Sequence, residues 1–147
     1  MHDSSAPFQK LTVALVAAWF GATASLAQAA TVEVTIENVK STEGPLLIAV
    51  YDKADDYRKK AVRELKVAAV APATTLSLAD LPPGDYAITL FHDRNGNGKI
   101  DSNLFGIPTE PYGFSGNPKN LMSPATWEQS RFSVASDTLK VPIRLND

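Results

Sequence analysis

The chain is constrained first by a succession of short β-type segments, each closed by proline, glycine or asparagine. Residues 31–39 alternate apolar and polar side chains, which is the pattern of a strand with one buried face. Residues 46–51 form a continuous apolar run, which is typical of a central strand. The segment 81–84 contains two prolines and a glycine and therefore predicts a turn. The strand-like segment 74–78 precedes this turn, and three more follow it: 85–93, 130–135 and 138–145. Six to seven short strands at this spacing predict an all-β fold, an antiparallel β-sandwich.

Residues 53–66 fit two different structures. Tyr57, Ala61 and Leu65 recur at helical spacing, and acidic residues come first while basic residues come last, which favours one short helix. Residues 65–70 also fit a strand that follows a loop. The sequence leaves both interpretations open.

The N-terminal segment predicts export. Lys10 precedes sixteen uncharged residues, and the small-residue triplet 27–29 follows them. This arrangement is typical of a secretory signal peptide, and the apolar run is shorter than the roughly 20 residues that a membrane-spanning helix needs. An uncleaved N-terminal anchor is the less favoured alternative. We expect a signal peptide over residues 1–29, a single sandwich domain over residues 30–147, a periplasmic or secreted location, and no membrane span after cleavage.

The charge balance and the lack of cysteine exclude several classes of function. The 147 residues contain 14 Lys and Arg against 16 Asp and Glu, so the net charge of −2 predicts no basic surface for nucleic acid. Without cysteine there is no disulfide, no thiolate nucleophile and no cysteine-ligated zinc. His92 is the only histidine of the predicted mature domain, and by alternation it continues the inward face of its strand. We therefore expect a hydrogen-bonded histidine at the core edge rather than a zinc or copper ligand.

The segment Asp93–Asp101 matches the first nine positions of an EF-hand calcium loop. Oxygen-bearing side chains occupy positions 1, 3 and 5, glycine occupies position 6, and an acid occupies position 9. Position 12 holds Leu104 instead of glutamate, and Glu110 is the nearest downstream acid that would replace it. The candidate calcium ligands are Asp93, Asn95, Asn97, the backbone carbonyl of Lys99, Asp101 and Glu110. The alternative is a metal-free turn, since Asn-Gly pairs are strong hairpin signals on their own.

This motif opens a long segment with few strand signals, residues 93–126. Segments of this length are usually functional or disordered, and this one is too apolar for a disordered linker. We therefore expect an ordered loop whose apolar side chains pack: Leu104, Phe105, Ile107, Tyr112, Phe114 and Leu121. A candidate ligand-binding surface consists of Phe105, Tyr112, Phe114 and Trp127. The favoured interpretation is that these aromatic residues form a small core of the loop itself.

Two blocks of the sequence, residues 81–101 and residues 105–115, resemble the bacterial exported-domain family named domain of unknown function 2141 (DUF2141). The similarity extends over essentially the whole predicted mature chain. The resemblance implies an exported β-sandwich of immunoglobulin-like or transthyretin-like type, similar also to carboxypeptidase-regulatory-like modules. It implies no catalytic residues, because the family has no established activity.

These observations predict a non-enzymatic binding or structural module of the cell envelope, whose long loop is ordered by calcium or by its own turns. The expected partner is an envelope protein or a small ligand. The alternative is a small periplasmic hydrolase or carbohydrate-active enzyme with its site at His92, Asp93 and Glu110. A third class is an assembly subunit that pairs through an exposed strand edge. The sequence determines neither the ligand nor the oligomeric state.

Overall fold

A computed structural model describes residues 29–119 and 122–147 of the chain. The predicted signal peptide lies outside the described residues except for Ala29. Within the described ranges the chain forms eight strands and one four-residue helix. In chain order these are β1 (Ala30–Glu37), β2 (Pro45–Tyr51), β3 (Arg63–Ala68), β4 (Ala73–Leu81), β5 (Gly84–His92), β6 (Tyr112–Phe114), α1 (Trp127–Ser130), β7 (Phe132–Val134) and β8 (Leu139–Arg144).

The first sheet has the order β4-β1-β8. Strand β1 lies in its centre, antiparallel to β4 and parallel to β8. The alternation read from the sequence is confirmed, because Val32, Val34 and Ile36 all turn inward and are fully buried. The sequence predicted a purely antiparallel sandwich, and this pair departs from that prediction: the edge strand β8 runs in the same direction as the central strand β1.

The second sheet has the order β3-β2-β5-β6, and β7 pairs with the first residues of β5. The inner face of β5 carries Ile88, Leu90 and His92, which are buried between the sheets. Its outer face carries Thr89 and Phe91, which are only partly buried. The two sheets enclose one apolar core, so the all-β sandwich is confirmed. The outer face of the second sheet lies outside that core.

Of the two structures that the sequence left open for residues 53–66, the short helix does not form. Residues 54–59 form a turn instead, in which the carbonyl of Asp56 accepts the backbone N–H groups of Lys59 and Lys60. Strand β3 then begins at Arg63, as the competing interpretation predicted. The helical spacing misled because Leu65 belongs to the packing of the second sheet, where it contacts the main core from a strand.

The helix found among the described residues is α1, which is four residues long and follows the long loop. A reciprocal capping box between Thr126 and Gln129 fixes its start. No helix within the described ranges has the length and apolar character needed to cross a membrane.

A second apolar cluster covers one end of the outer face of the second sheet. The ring of Tyr57, from the turn 54–59, makes edge contacts with Tyr51 at 5.3 Å and with Trp127 at 5.9 Å between ring centroids. Its hydroxyl donates a hydrogen bond of 2.9 Å to Oγ of Ser130. Burial raises the pKa of Tyr57, because the phenolate would lose its hydration. The turn 54–59 is therefore anchored to the sheet by one tyrosine.

Candidate functional site

The Asp93–Asp101 loop begins where β5 ends, and it rests on the chain segment before β2. The backbone N–H of Asp93 donates to the carbonyl of Pro45 at 2.9 Å. Gly44 lies against Asp93 with φ +70°, and a Cβ there would overlap the Asp93 carbonyl oxygen and lie 2.9 Å from Cα of Arg94. Nε2 of the fully buried His92 is 2.8 Å from the carbonyl oxygen of Glu43, which confirms a hydrogen-bonded histidine at the core edge. The loop is therefore seated on backbone groups.

Asp93 organises the first half of the loop from inside. The residue is 1 % exposed, and its carboxylate accepts the backbone N–H of Asn97 at 3.0 Å and of Gly98 at 2.9 Å. A buried carboxylate needs such donors, since it would otherwise lose its hydration without replacement. Gly98, at φ +80°, supplies the left-handed turn that brings its N–H back to Asp93.

Glu110 holds the loop from its other side. The residue is 7 % exposed, and its carboxylate accepts the backbone N–H of Arg94 at 2.9 Å and of Asp101 at 3.1 Å. Glu110 therefore reaches the loop, as the sequence suggested for a replacement of the missing glutamate. It does so by accepting hydrogen bonds from backbone N–H groups near the two ends of the loop.

Asn95, Asn97 and Asp101 converge on the exposed side of the loop. The side-chain amides of both asparagines donate to the Asp101 carboxylate, Asn97 at 2.9 and 3.1 Å. The Oδ1 of Asn97 accepts the backbone N–H of Lys99 at 3.0 Å. Within the described ranges, no three His, Cys, Asp or Glu side chains form a group suited to a metal ion. A calcium site here would therefore depend on amide and backbone oxygens beside the carboxylates.

Ion pairs tie the loop to Asp147. Arg94 lies 3.4 Å from the Asp147 carboxylate, and Lys40 lies 2.7 Å from it. The hydrogen bond from Lys40 holds the pKa of Asp147 below its ordinary value. The loop is thus connected to residues that flank both β1 and β8.

A groove of about 480 Å³, named here the outer groove, lies on the outer face of the second sheet. Its floor consists of Thr89 and Phe91 from β5 together with Tyr112 and Phe114 from β6. One wall is the hairpin 100–108, and the other wall is the segment 122–124. Arg58, from the turn 54–59, also lines the groove. His92, Asp93 and Glu110 do not line it.

The hairpin wall is ordered by Asn103. Its Oδ1 accepts the backbone N–H of Phe105 at 2.9 Å and of Ile107 at 3.1 Å. The tip nevertheless projects from the sandwich, because Leu104 is 102 %, Phe105 87 % and Ile107 58 % exposed. The expectation that these three side chains pack is therefore wrong, since the turn at Asn103 directs the tip away from the sheet. Leu121 lies outside the described residues.

The structure brings together three of the four predicted aromatic residues. Phe105, Tyr112 and Phe114 line the outer groove, and the rings of Tyr112 and Phe114 are in edge contact at 5.8 Å. Trp127 packs on Tyr57 instead and does not line the groove. Phe114 and Trp127 thus pack as the loop-core interpretation expects, whereas Phe105 does not.

Sequence reasoning missed Phe91 and Arg58. The sequence did contain a signal for Phe91. This apolar side chain alternates with the inward residues of β5, so it lies on the outer face, where an apolar residue indicates a covered or binding surface. Arg58 carried no such signal, since its place depends on a turn where a helix was favoured.

Fold and site together define a small all-β sandwich with a clamped loop at one end of β5 and an apolar groove on one outer face. A family model described as "Uncharacterized protein conserved in bacteria (DUF2141)" matches residues 34–142, and the chain belongs to that family. Comparison with curated proteins and with solved structures gives no match.

Proposed function

We propose that this chain is an exported, non-enzymatic binding module of the cell envelope, and that the outer groove is its binding surface. The observation that carries the proposal is the hairpin wall, where Phe105 is 87 % exposed although its backbone is held by Asn103. Exposed apolar side chains on an ordered element, beside an apolar floor, indicate an interaction site. The volume of about 480 Å³ lies within the roughly 300–1,000 Å³ of small-molecule sites.

Export is supported by the signal-peptide pattern before Ala30. We also propose a relation to transthyretin-like sandwiches. It is supported by the two-sheet architecture and by the Pro-Pro-Gly turn at 82–84, which leads directly into the central strand β5.

A binding role is favoured over the hydrolase alternative by the contacts of its three candidate residues. His92, Asp93 and Glu110 are each at most 7 % exposed, and each is hydrogen bonded to backbone groups that hold the loop. A general acid or base has to lie within hydrogen-bond reach of its substrate. These side chains support the base of the Asp93–Asp101 loop and do not line the outer groove.

The groove is tested with the neutral fluorescent probe N-phenyl-1-naphthylamine. We expect its emission to rise on binding to the purified protein and its affinity to fall at least tenfold in Phe105→Asp, because a charge replaces an apolar wall. Val70→Asp is the matched control, since Val70 is 55 % exposed and does not line the groove. Equal affinities for the two variants, or no binding to the parent protein, would refute the proposal.

Calcium binding by the Asp93–Asp101 loop is a second candidate. It is favoured by the convergence of Asn95, Asn97 and Asp101, because a cation would let both amides turn their oxygens towards the point where they now donate to a carboxylate. A ligand at 100 times its Kd adds about 2.7 kcal/mol to the free energy of unfolding. Thermal melts with calcium should therefore lie above melts with chelator, and magnesium should have less effect. Asp101→Asn should abolish the difference. Coincident melts of the parent protein would end the calcium hypothesis.

A further inference from the structure

We infer, on the basis of the binding function proposed above, that the outer groove takes a single-chain anionic amphiphile such as a long-chain carboxylate. The head group would pair with Arg58, and the acyl chain would lie along the floor towards the hairpin wall.

The charge of the groove is the first argument. Arg58 is the only charged residue among the described residues that line it. Within the described ranges, no acidic side chain forms an ion pair with Arg58. An unpaired guanidinium at the rim of an apolar surface is complementary to an anion that carries an apolar body.

The backbone of Arg58 is the second argument. Its φ of 60° lies in the left-handed region, which is unfavourable for a residue with a Cβ atom. Such conformations persist where the surrounding structure determines them, and they concentrate at functional sites. Here the surrounding structure is Tyr57, which is buried on the sheet and bonded to Ser130 at 2.9 Å. The fold thus holds Arg58 in an unfavourable conformation beside the groove.

The direction of the groove follows from the strand register. Tyr57 contacts Tyr51, which pairs with Ala87, so Arg58 belongs to the earlier end of the outer face of β5. The hairpin wall follows the later end, where Phe91 pairs with Tyr112. Same-face residues two apart on a strand are about 7 Å apart. Arg58 therefore lies nearest the Ala87 end of the floor, whereas the hairpin wall begins at the Phe91 end, and this separation of charge from apolar surface matches the polarity of an amphiphile.

A peptide fits the groove less well than an acyl chain. Strand β5, which forms part of the floor, is paired on one side with β2 and on the other with β6. Its backbone groups are therefore not open to an added strand. The polar side chains that line the groove are few, namely Arg58, Thr89, Ser102, Tyr112 and Ser123. A sugar, which needs many hydrogen bonds, would leave most of its hydroxyls unpaired.

Direct calorimetry tests the inference with three twelve-carbon probes below their micelle concentrations: laurate, dodecyltrimethylammonium and the neutral dodecyl maltoside. We expect laurate to bind at least tenfold more tightly than the cationic probe. Arg58→Gln should lower laurate affinity about tenfold or more and should lower the affinity for the neutral N-phenyl-1-naphthylamine by a much smaller factor. Arg58→Lys should retain most of the laurate affinity. Lys60→Gln, which removes a cation directly after the same turn and outside the groove, is the matched control and should bind as the parent does.

Two outcomes overturn the anionic amphiphile while the proposed groove stands: equal affinity for the three probes, or unchanged laurate affinity in Arg58→Gln. Binding to vesicles of anionic phospholipid with no binding of monomeric laurate would replace the single chain by a membrane surface and also overturns it. Failure of the neutral fluorescent probe, with laurate bound through Arg58, would refute the apolar groove but not the anion site. Urea unfolding of each variant checks that the fold is retained.

Discussion

Gly44 is the position where one added methyl group tests how the Asp93–Asp101 loop is seated. In Gly44→Ala the new Cβ would overlap the carbonyl oxygen of Asp93 and lie 2.9 Å from Cα of Arg94. Both contacts are with backbone, so no side-chain rotation relieves them. Either Gly44 or the start of the loop has to move.

The expected loss of stability has two components. An alanine at φ +70° costs about 1–2 kcal/mol, because its Cβ is unfavourable in the left-handed region. Moving the two segments apart also weakens the hydrogen bonds from Asp93 to Pro45 and between His92 and Glu43, each worth about 1 kcal/mol net. The sum is about 3–4 kcal/mol, a large part of the roughly 5–15 kcal/mol that stabilises a typical domain.

Equilibrium unfolding in urea measures this loss, and Gly96→Ala is the matched control. Gly96 has φ +72°, and nothing lies within 4 Å of its added Cβ, so only the backbone component applies. We expect Gly44→Ala to lose about 2 kcal/mol more than Gly96→Ala, at an unchanged denaturant slope. Losses equal within about 0.5 kcal/mol would refute the close packing between Gly44 and the loop.

Two further substitutions test how Glu110 holds the Asp93–Asp101 loop and how Tyr57 holds the turn 54–59. Glu110→Gln should lower the free energy of unfolding by about 1–3 kcal/mol, because an amide N–H₂ would face one of the two buried N–H donors. Glu64→Gln, exposed on β3, should have almost no effect, and equal losses would contradict the clamp. Burial raises the pKa of Tyr57, so its contribution to stability is complete below the unfolded value near pH 10 and is lost as the pH rises through the folded pKa. Urea unfolding at pH 9 and pH 11 should therefore show a smaller alkaline loss in Tyr57→Phe than in the parent. Some loss should remain, because burial also raises the pKa of Tyr86; identical pH dependence would refute the assignment.

The strands that sequence predicted best are those whose two faces differ most in environment. Strand β1 alternates between core and surface, and the pattern of Val32, Val34 and Ile36 is visible in the sequence without any structure. The sequence did not distinguish a helix from a turn at residues 54–59. Tyr57, Ala61 and Leu65 lie four residues apart both in a helix and in the observed turn followed by a strand, so three positions at this spacing do not separate the two structures.

The loop motif was visible from spacing, whereas the groove was not. The sequence identified Glu110 as the acid that would return to the loop. It did not predict that Glu110 accepts hydrogen bonds from the backbone N–H groups of Arg94 and Asp101, because this depends on where β6 begins. Phe105 was expected to pack because apolar loop residues usually do. Its exposure depends on the turn at Asn103, and the approach of Arg58 depends on a left-handed backbone, neither of which has a reliable sequence signal.

The place of β1 in the first sheet affects the order in which this protein assembles. The side chain of Asn38, just after β1, bonds to the carbonyl of Leu145, which is 107 positions further along the chain. Until residues 139–144 have been synthesised, the backbone N–H and C=O groups along one edge of β1 have no partner strand. Contacts of such long sequence separation slow folding, because a large loop has to close before they form. A nascent chain of this topology therefore cannot complete its first sheet until almost all of its residues have been synthesised.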